Sequence, residues 1–275
     1  MPLNLPPNAP SGLKHCTVDL AYHDVLLVMI NRPEKLNSLT VDAGFELESV
    51  FDWFDREASL RVAVISGKGR AFCTGGDLSE WILNGQRGVP MQFPEAGFGG
   101  LSDRQGGKPV IAAVNGPAYG GGCEIVLNCD LVVAAECATF ALPEVKLGIA
   151  AHGGGLPRLI MTMGRQRASE WALTGRKISA KELQDYGFCN AVVKRPSDVV
   201  AKALEYARMV ADNSPAAVSV TRDGLELGYS GMGVKESTHI FRHRIMKRIH
   251  DGADMQEGIR AFLEKRAPRW ATPKL

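Results

Sequence analysis

Apolar and polar positions change period along the chain, and each period predicts an element. Residues 17–21 and 25–30 hold apolar and branched side chains on either side of a short polar break, which predicts a β-hairpin. Over 41–55 the apolar positions return at helical spacing, the mark of an amphipathic helix. The runs 62–66, 110–114 and 131–134 are short, branched and apolar, and read as buried strands alternating with helices. Such alternation predicts an α/β fold. From about residue 197 the helical period takes over, with helices predicted at 198–211, 216–227, 234–249 and 254–265. The domain reading is a proline-bearing N-terminal arm over 1–12, flexible or extended, then a catalytic core over 13–196 and a C-terminal helical region over 197–275.

One segment escapes every period. Residues 85–107 combine repeated glycines with Pro90, Pro94 and the apolar Val89, Met91, Phe93, Phe98 and Leu101. A long irregular stretch of this kind predicts a mobile lid or binding loop rather than a rigid element. Composition then narrows the function classes. At 275 residues and 45% hydrophobic content the chain can bury a large core. A formal net charge of +2, from 32 basic and 30 acidic residues, carries no polyanion signature and argues against a nucleic-acid partner. No apolar run approaches the roughly 18 residues that suggest a membrane span. The cysteines at 16, 73, 123, 129, 137 and 189 form no Cys-x-x-Cys pair and have no histidines at metal-ligand intervals, so they read as reduced, mostly buried thiols. No metal site is expected.

The chemistry gathers around two glutamates. Glu124 closes the run Asn115-Gly116-Pro117-Ala118-Tyr119-Gly120-Gly121-Gly122-Cys123-Glu124, and Glu144 stands in Ala141-Leu142-Pro143-Glu144-Val145. Two carboxylates brought together by a fold can hold a water between them, one taking its proton while the other gives a proton to the substrate. That points to addition or removal of water. Three consecutive glycines serve one of two ends: a tight turn whose bare amides receive a negative oxygen, or simple close packing of a helix on a sheet. A second glycine-bearing loop, Arg70-Ala71-Phe72-Cys73-Thr74-Gly75-Gly76-Asp77, follows the 62–66 strand and ends where Asp77 can cap a helix.

At these motifs the chain resembles the crotonase, or enoyl-CoA hydratase/isomerase, superfamily, and most of all its enoyl-CoA hydratases. Besides the two glycine segments and Pro143-Glu144, the likeness includes Asn31-Arg32-Pro33-Glu34-Lys35-Leu36-Asn37-Ser38-Leu39 and Ala261-Phe262-Leu263-Glu264-Lys265-Arg266, in register over roughly residues 16–270. The resemblance implies a spiral of strand-strand-helix repeats followed by C-terminal helices that build a homotrimer, or a dimer of trimers. It also implies roles: Glu124 and Glu144 as the acid/base pair, and the Thr74 and Gly121 amides as an oxyanion hole. Thr74, Gly75, Gly76 and Asp77 would run along the acyl-CoA, Lys35 and Leu36 would line the CoA channel, and Phe262 and Lys265 would reach CoA from the last helix. Coenzyme A arrives with the substrate, and no other cofactor is implied.

The implied reaction is reversible addition of water across the 2,3 double bond of an enoyl-CoA. A double-bond isomerase, thioesterase or decarboxylase of the same fold needs only one carboxylate, and an RNA-binding relative would show a basic patch. The chain departs from the family at Ala151-His152-Gly153-Gly154-Gly155-Leu156-Pro157-Arg158-Leu159, where many members have Pro-Gly-Ala-Gly-Gly-Thr-Gln-Arg-Leu. The loss of that Thr-Gln pair alters the shape expected around the acyl end. His152, set among glycines, reads as a loop hydrogen-bonder. At the other end, Pro273-Lys274-Leu275 resembles a divergent Ser-Lys-Leu peroxisomal address; a cytoplasmic or mitochondrial location is the other expectation.

Overall fold

A computed structural model of the chain describes residues 3–271, so the Pro273-Lys274-Leu275 tripeptide lies outside the described residues. The hairpin consists of β1 (Cys16–Tyr22) and β2 (Val25–Ile30), paired antiparallel. In α1 (Val41–Arg56) the Thr40 hydroxyl accepts the Ala43 amide at 3.2 Å, which satisfies one of the free donors at the helix start. Ala43, Leu47, Val50 and Phe54 form its buried stripe, at the spacing the sequence shows. Next come β3 (Val62–Gly67), α2 (Leu78–Gln86), β4 (Val110–Val114), β5 (Ala118–Tyr119), α3 (Gly121–Leu127), β6 (Leu131–Ala135) and β7 (Thr139–Ala141). They lead to α4 (Gly155–Met163), α5 (Arg165–Thr174), β8 (Ile178–Ser179), α6 (Ala180–Asp185) and β9 (Ala191–Val193).

Six strands form one sheet in the order β1-β2-β3-β4-β6-β9, parallel beyond the hairpin, and β5-β7-β8 form a small second sheet. The chain therefore winds as the expected spiral, placing one strand in each sheet and then a helix, as in β4-β5-α3. Strand residues alternate between the faces of the large sheet. Ala63 and Ile65 of β3 join the α1 side, whereas Val62 and Val64 meet α7 (Val199–Ala211) on the other. Leu5, Ala9 and Leu13 of the N-terminal segment lie partly buried against the α1-side core.

The C-terminal helices are α8 (Pro215–Tyr229), α9 (Val234–Ile240), α10 (Lys247–His250) and α11 (Asp254–Leu263). The single helix expected over 234–249 is broken, because Phe241–Ile245 winds as a π-helix between α9 and α10. The wider turn seats Phe241 over Gly224 of α8, where an added Cβ would stand 2.7 Å from the ring. No helix of the described residues is long and apolar enough to cross a membrane.

The 85–107 segment corrects the lid expectation by half. Residues 87–92 are exposed, but Phe98–Gly100 forms a buried 3-10 turn and Leu101 and Ser102 are buried after it. The Ser102 hydroxyl accepts the Phe98 amide at 2.8 Å and donates to the Gly153 carbonyl at 2.6 Å. Arg104 closes the segment with an ion pair to Asp55 of α1. Burial of Phe98 and Leu101 in the main core is what draws this half of the segment inward.

Candidate active site

Two glycine loops meet beyond the ends of β3 and β4. The first, residues 68–77, is gripped by two buried amide side chains that sequence reading passed over. Asn37 Nδ2 donates to the Lys68 and Ala71 carbonyls at 2.9 and 2.8 Å, and Asn115 Nδ2 donates to those of Gly69 and Ala71 at 2.9 and 3.3 Å. Their signal in the sequence was position: each stands in a tight, glycine- or proline-bearing segment just beyond a strand or before a helix. The second loop is drawn alongside the first by the Tyr119 amide, which donates to the Cys73 carbonyl at 2.9 Å.

Close approach then dictates the glycines. Gly120 takes φ 55, and a Cβ on Gly122 would stand 2.2 Å from the Cys73 carbonyl oxygen. Tight turn and close packing, left as alternatives by the sequence, operate together here. Thr74 and Gly121 both line the cavity that results, and neither amide donates to an acceptor among the described residues. The Thr74 hydroxyl is committed, donating to the Leu36 carbonyl at 3.2 Å.

Both glutamates line the same cavity of about 240 Å³. Glu124, on the first turn of α3, is 3% exposed and its Oε1 accepts the Gly155 amide at 2.9 Å. Glu144, at the start of the 3-10 turn Glu144–Leu147, is 8% exposed, and its Oε2 has no hydrogen-bond partner among the described residues. Burial raises the pKa of both carboxyls above the ordinary range. Against that rise, the Gly155 amide, nearby His152 and the Gly153 amide favour the charged form of Glu124. For Glu144, its own amide and His152 oppose the rise, while the neighbouring charge of Glu124 adds to it. The two sites are thus electrostatically linked.

The rest of the cavity is mainly apolar, with Trp81 of α2, Phe93, Phe98, Leu147 and Ile149 in its walls. Phe93 stands edge-on between Trp81 and His152, with ring centroids 6.3 and 5.0 Å apart. Cys73 and Cys123 are buried behind the loops; burial pushes the Cys73 thiol up to about 12 and that of Cys123 well above its ordinary value. Neither is an activated nucleophile.

With two amides that lack acceptors among the described residues and two buried carboxyls lining it, the cavity has the parts for thioester chemistry. Residues 21–273 match the family model described as enoyl-CoA hydratase/isomerase. The chain belongs to that family.

Mevalonyl-coenzyme A hydratase from Aspergillus fumigatus is 44% identical over 260 residues, covering 94% of this chain and 96% of the relative. Carnitinyl-CoA dehydratase from Proteus mirabilis is 36% identical over 251 residues, 90% of this chain and 94% of its own. Among solved structures, an enoyl-CoA hydratase from Mycobacterium tuberculosis superposes with a TM-score of 0.86 at 33% identity, covering 94% of this chain and 99% of that one. The fold is the crotonase spiral, and the chain is a hydro-lyase of the crotonase superfamily.

The residues assigned through family resemblance fall into three places. Glu124, Glu144, Thr74, Gly121, Gly75 and Gly76 line the cavity. Asp77 stands just outside, accepting the Ser79 amide at 3.2 Å as the cap of α2 and pairing with Arg32 at 3.2 Å. Lys35 and Leu36 also lie outside the cavity walls, Leu36 touching the site through its carbonyl on Thr74. Phe262, 83% exposed near the end of α11, and Lys265 just beyond it are not among the residues that line this cavity. Sequence reading missed Trp81, whose ring abuts Gly76 so closely that a Cβ there would lie 2.5 Å away.

Proposed function

We propose that the chain adds water reversibly across the 2,3 double bond of a short enoyl-CoA thioester. The observation that carries this reading is that two buried carboxyls and two amides without acceptors among the described residues line one cavity. The Gly155 amide on Glu124 Oε1 supports the charged form of that carboxyl. Glu124 then acts as base and Glu144 as acid. A water gives one proton to Glu124 as its oxygen bonds Cβ, and the electrons of the double bond pass to Cα and the thioester oxygen. The amides of Thr74 and Gly121 receive that oxygen, a contribution of roughly 2.7–4 kcal/mol per donor in other enzymes. Cα finally takes the proton of Glu144, so one water is added and nothing is oxidised or reduced.

The names of the relatives support a short acyl group that carries a polar end: a mevalonyl group ends in a hydroxyl and a carnitinyl group in a quaternary ammonium. In this reading Phe262 and Lys265 contact the CoA held by a neighbouring copy in a trimer. One observation favours an isomerase instead. Glu144 Oε2 has no partner among the described residues, while Glu124 Oε1 accepts the Gly155 amide, so Glu144 is the less restrained of the two for carrying a proton between carbons.

The test is direct: purified protein is mixed with but-2-enoyl-CoA and with short branched and hydroxylated 2-enoyl-CoAs, and the absorbance of the conjugated thioester is followed. Its loss, with a 3-hydroxyacyl-CoA product by mass, is the expected result. Unchanged absorbance with every member of the series would overturn the hydratase reading.

A further inference from the structure

The polar side chains of the cavity can be accounted for one at a time. The Thr74 hydroxyl donates to Leu36, and the Tyr119 hydroxyl is paired with that of Thr139 at 2.8 Å. Glu124 and Glu144 are occupied by the proposed hydration. Two side chains lining the cavity then keep a ring nitrogen without a partner among the described residues: the indole of Trp81 and the imidazole of His152.

His152 is the one that can accept. Its Nδ1 lies 3.1 Å from the Ala150 carbonyl oxygen, and because a carbonyl only accepts, Nδ1 carries the hydrogen of that bond. In the neutral ring Nε2 is therefore left with its lone pair. The ring is also held in place, standing edge-on to Phe93 at a centroid distance of 5.0 Å. It is exposed as well as cavity-lining, which puts it at the rim, with the carboxyl pair behind it in the buried part. Beside an otherwise apolar wall of Trp81, Phe93, Leu147 and Ile149 this acceptor is selective to the extent that a bound chain displaces water from it: a hydroxyl replaces the lost hydrogen bond and an aliphatic chain does not.

We infer that His152 is a specificity-determining residue that accepts a hydrogen bond from a hydroxyl carried on the acyl chain beyond Cβ. The inference rests on the hydratase reading and adds the side chain that selects the substrate. It concerns binding, so His152 takes no proton in the reaction.

The test uses pent-2-enoyl-CoA and 5-hydroxypent-2-enoyl-CoA, which differ by one oxygen, with the wild type, His152→Leu and His152→Gln. The wild type should favour the hydroxylated thioester in kcat/KM. His152→Leu should lower the ratio of kcat/KM for the hydroxylated over the plain substrate by about tenfold to a hundredfold, mainly through KM; any loss that passes through the carboxyl pair falls on both substrates and leaves that ratio unchanged. His152→Gln, which keeps an acceptor, should recover part of the preference. An equal loss on both substrates, or a wild type indifferent to the hydroxyl, overturns the inference while the hydratase reading stands. Hydration of neither substrate by the wild type removes both. Thermal melting of each variant shows that the comparison is made on folded protein.

Discussion

On one face of the large sheet, α7 lays Val199, Ala203, Ala207 and Ala211 on Val62, Val64, Ile111, Ala113 and Val133, an aliphatic contact at a strict spacing of four. Beyond the other face, one cavity gathers the buried carboxyls of α3 and of the turn after β7, two amides without acceptors among the described residues, and a glycine at φ 55. The α7 face stabilises in the ordinary way, by removing apolar area from water. The site face carries groups that oppose folding: charge without full solvation, and backbone that only glycine accepts readily. The contrast teaches that the α7 face contributes stability alone, while the α1 side holds both the main core and the chemistry, so substitutions under α7 and at the carboxyls should separate the two properties.

The largest separation is expected at Glu144. Glu144→Gln keeps the shape but removes the exchangeable proton, so hydration should fall by about 10² to 10⁴-fold, measured as kcat on a 2-enoyl-CoA. The fold should be retained, as circular dichroism will show. On the opposite face Ala207→Leu forces three extra carbons between α7 and the sheet, and should cost about 1–3 kcal/mol in denaturant unfolding with kcat per folded molecule unchanged. A large kcat loss in that variant would break the separation.

Asn115→Ala tests the seam between the two. It removes two bonds that hold the 68–77 loop, so it should lower stability by about 1–3 kcal/mol and also lower kcat, since the loop carries Thr74. Retention of full kcat by this variant would show that the loop is held without it.

The smallest effect is a pH dependence of stability. Burial raises the pKa of Glu144 in the folded chain, so folding binds a proton over the window between the ordinary and the raised value. The stability linked to that proton is fully present below the ordinary carboxyl range and is lost as pH rises through the raised value. Glu144→Gln has nothing to lose there. Its Tm should exceed that of the wild type at neutral and alkaline pH, and the difference should fade toward about pH 4. A variant less stable than wild type at pH 8 would contradict this.

Much of the α7 face was legible in the sequence because both of its partners are long and periodic. The strand over 110–114 has the bounds read from its apolar run, and the helix expected at 198–211 begins one residue later. The small sheet was not, because β5, β7 and β8 are two or three residues long and leave no period to detect. At the site, the carboxyls and glycines announced themselves by residue type. Asn37 and Asn115 did not, since their role depends on carbonyls tens of residues away. The 85–107 segment misled because its glycines suggested freedom, while Phe98 and Leu101 are what decide its inner half by burying in the core.

The two-carboxylate mechanism is tested most directly at Glu124. Gln at this position can still accept the Gly155 amide but cannot take a proton from water. The measurement is the rate of Glu124→Gln on a 2-enoyl-CoA and on a 3-enoyl-CoA, beside wild type and Glu144→Gln. Hydration by Glu124→Gln should fall by about 10² to 10⁴-fold, comparable with Glu144→Gln, while KM stays near that of the wild type. Hydration near the wild-type rate, with double-bond migration still dependent on Glu144, would contradict the mechanism and leave an isomerase that works through one carboxyl.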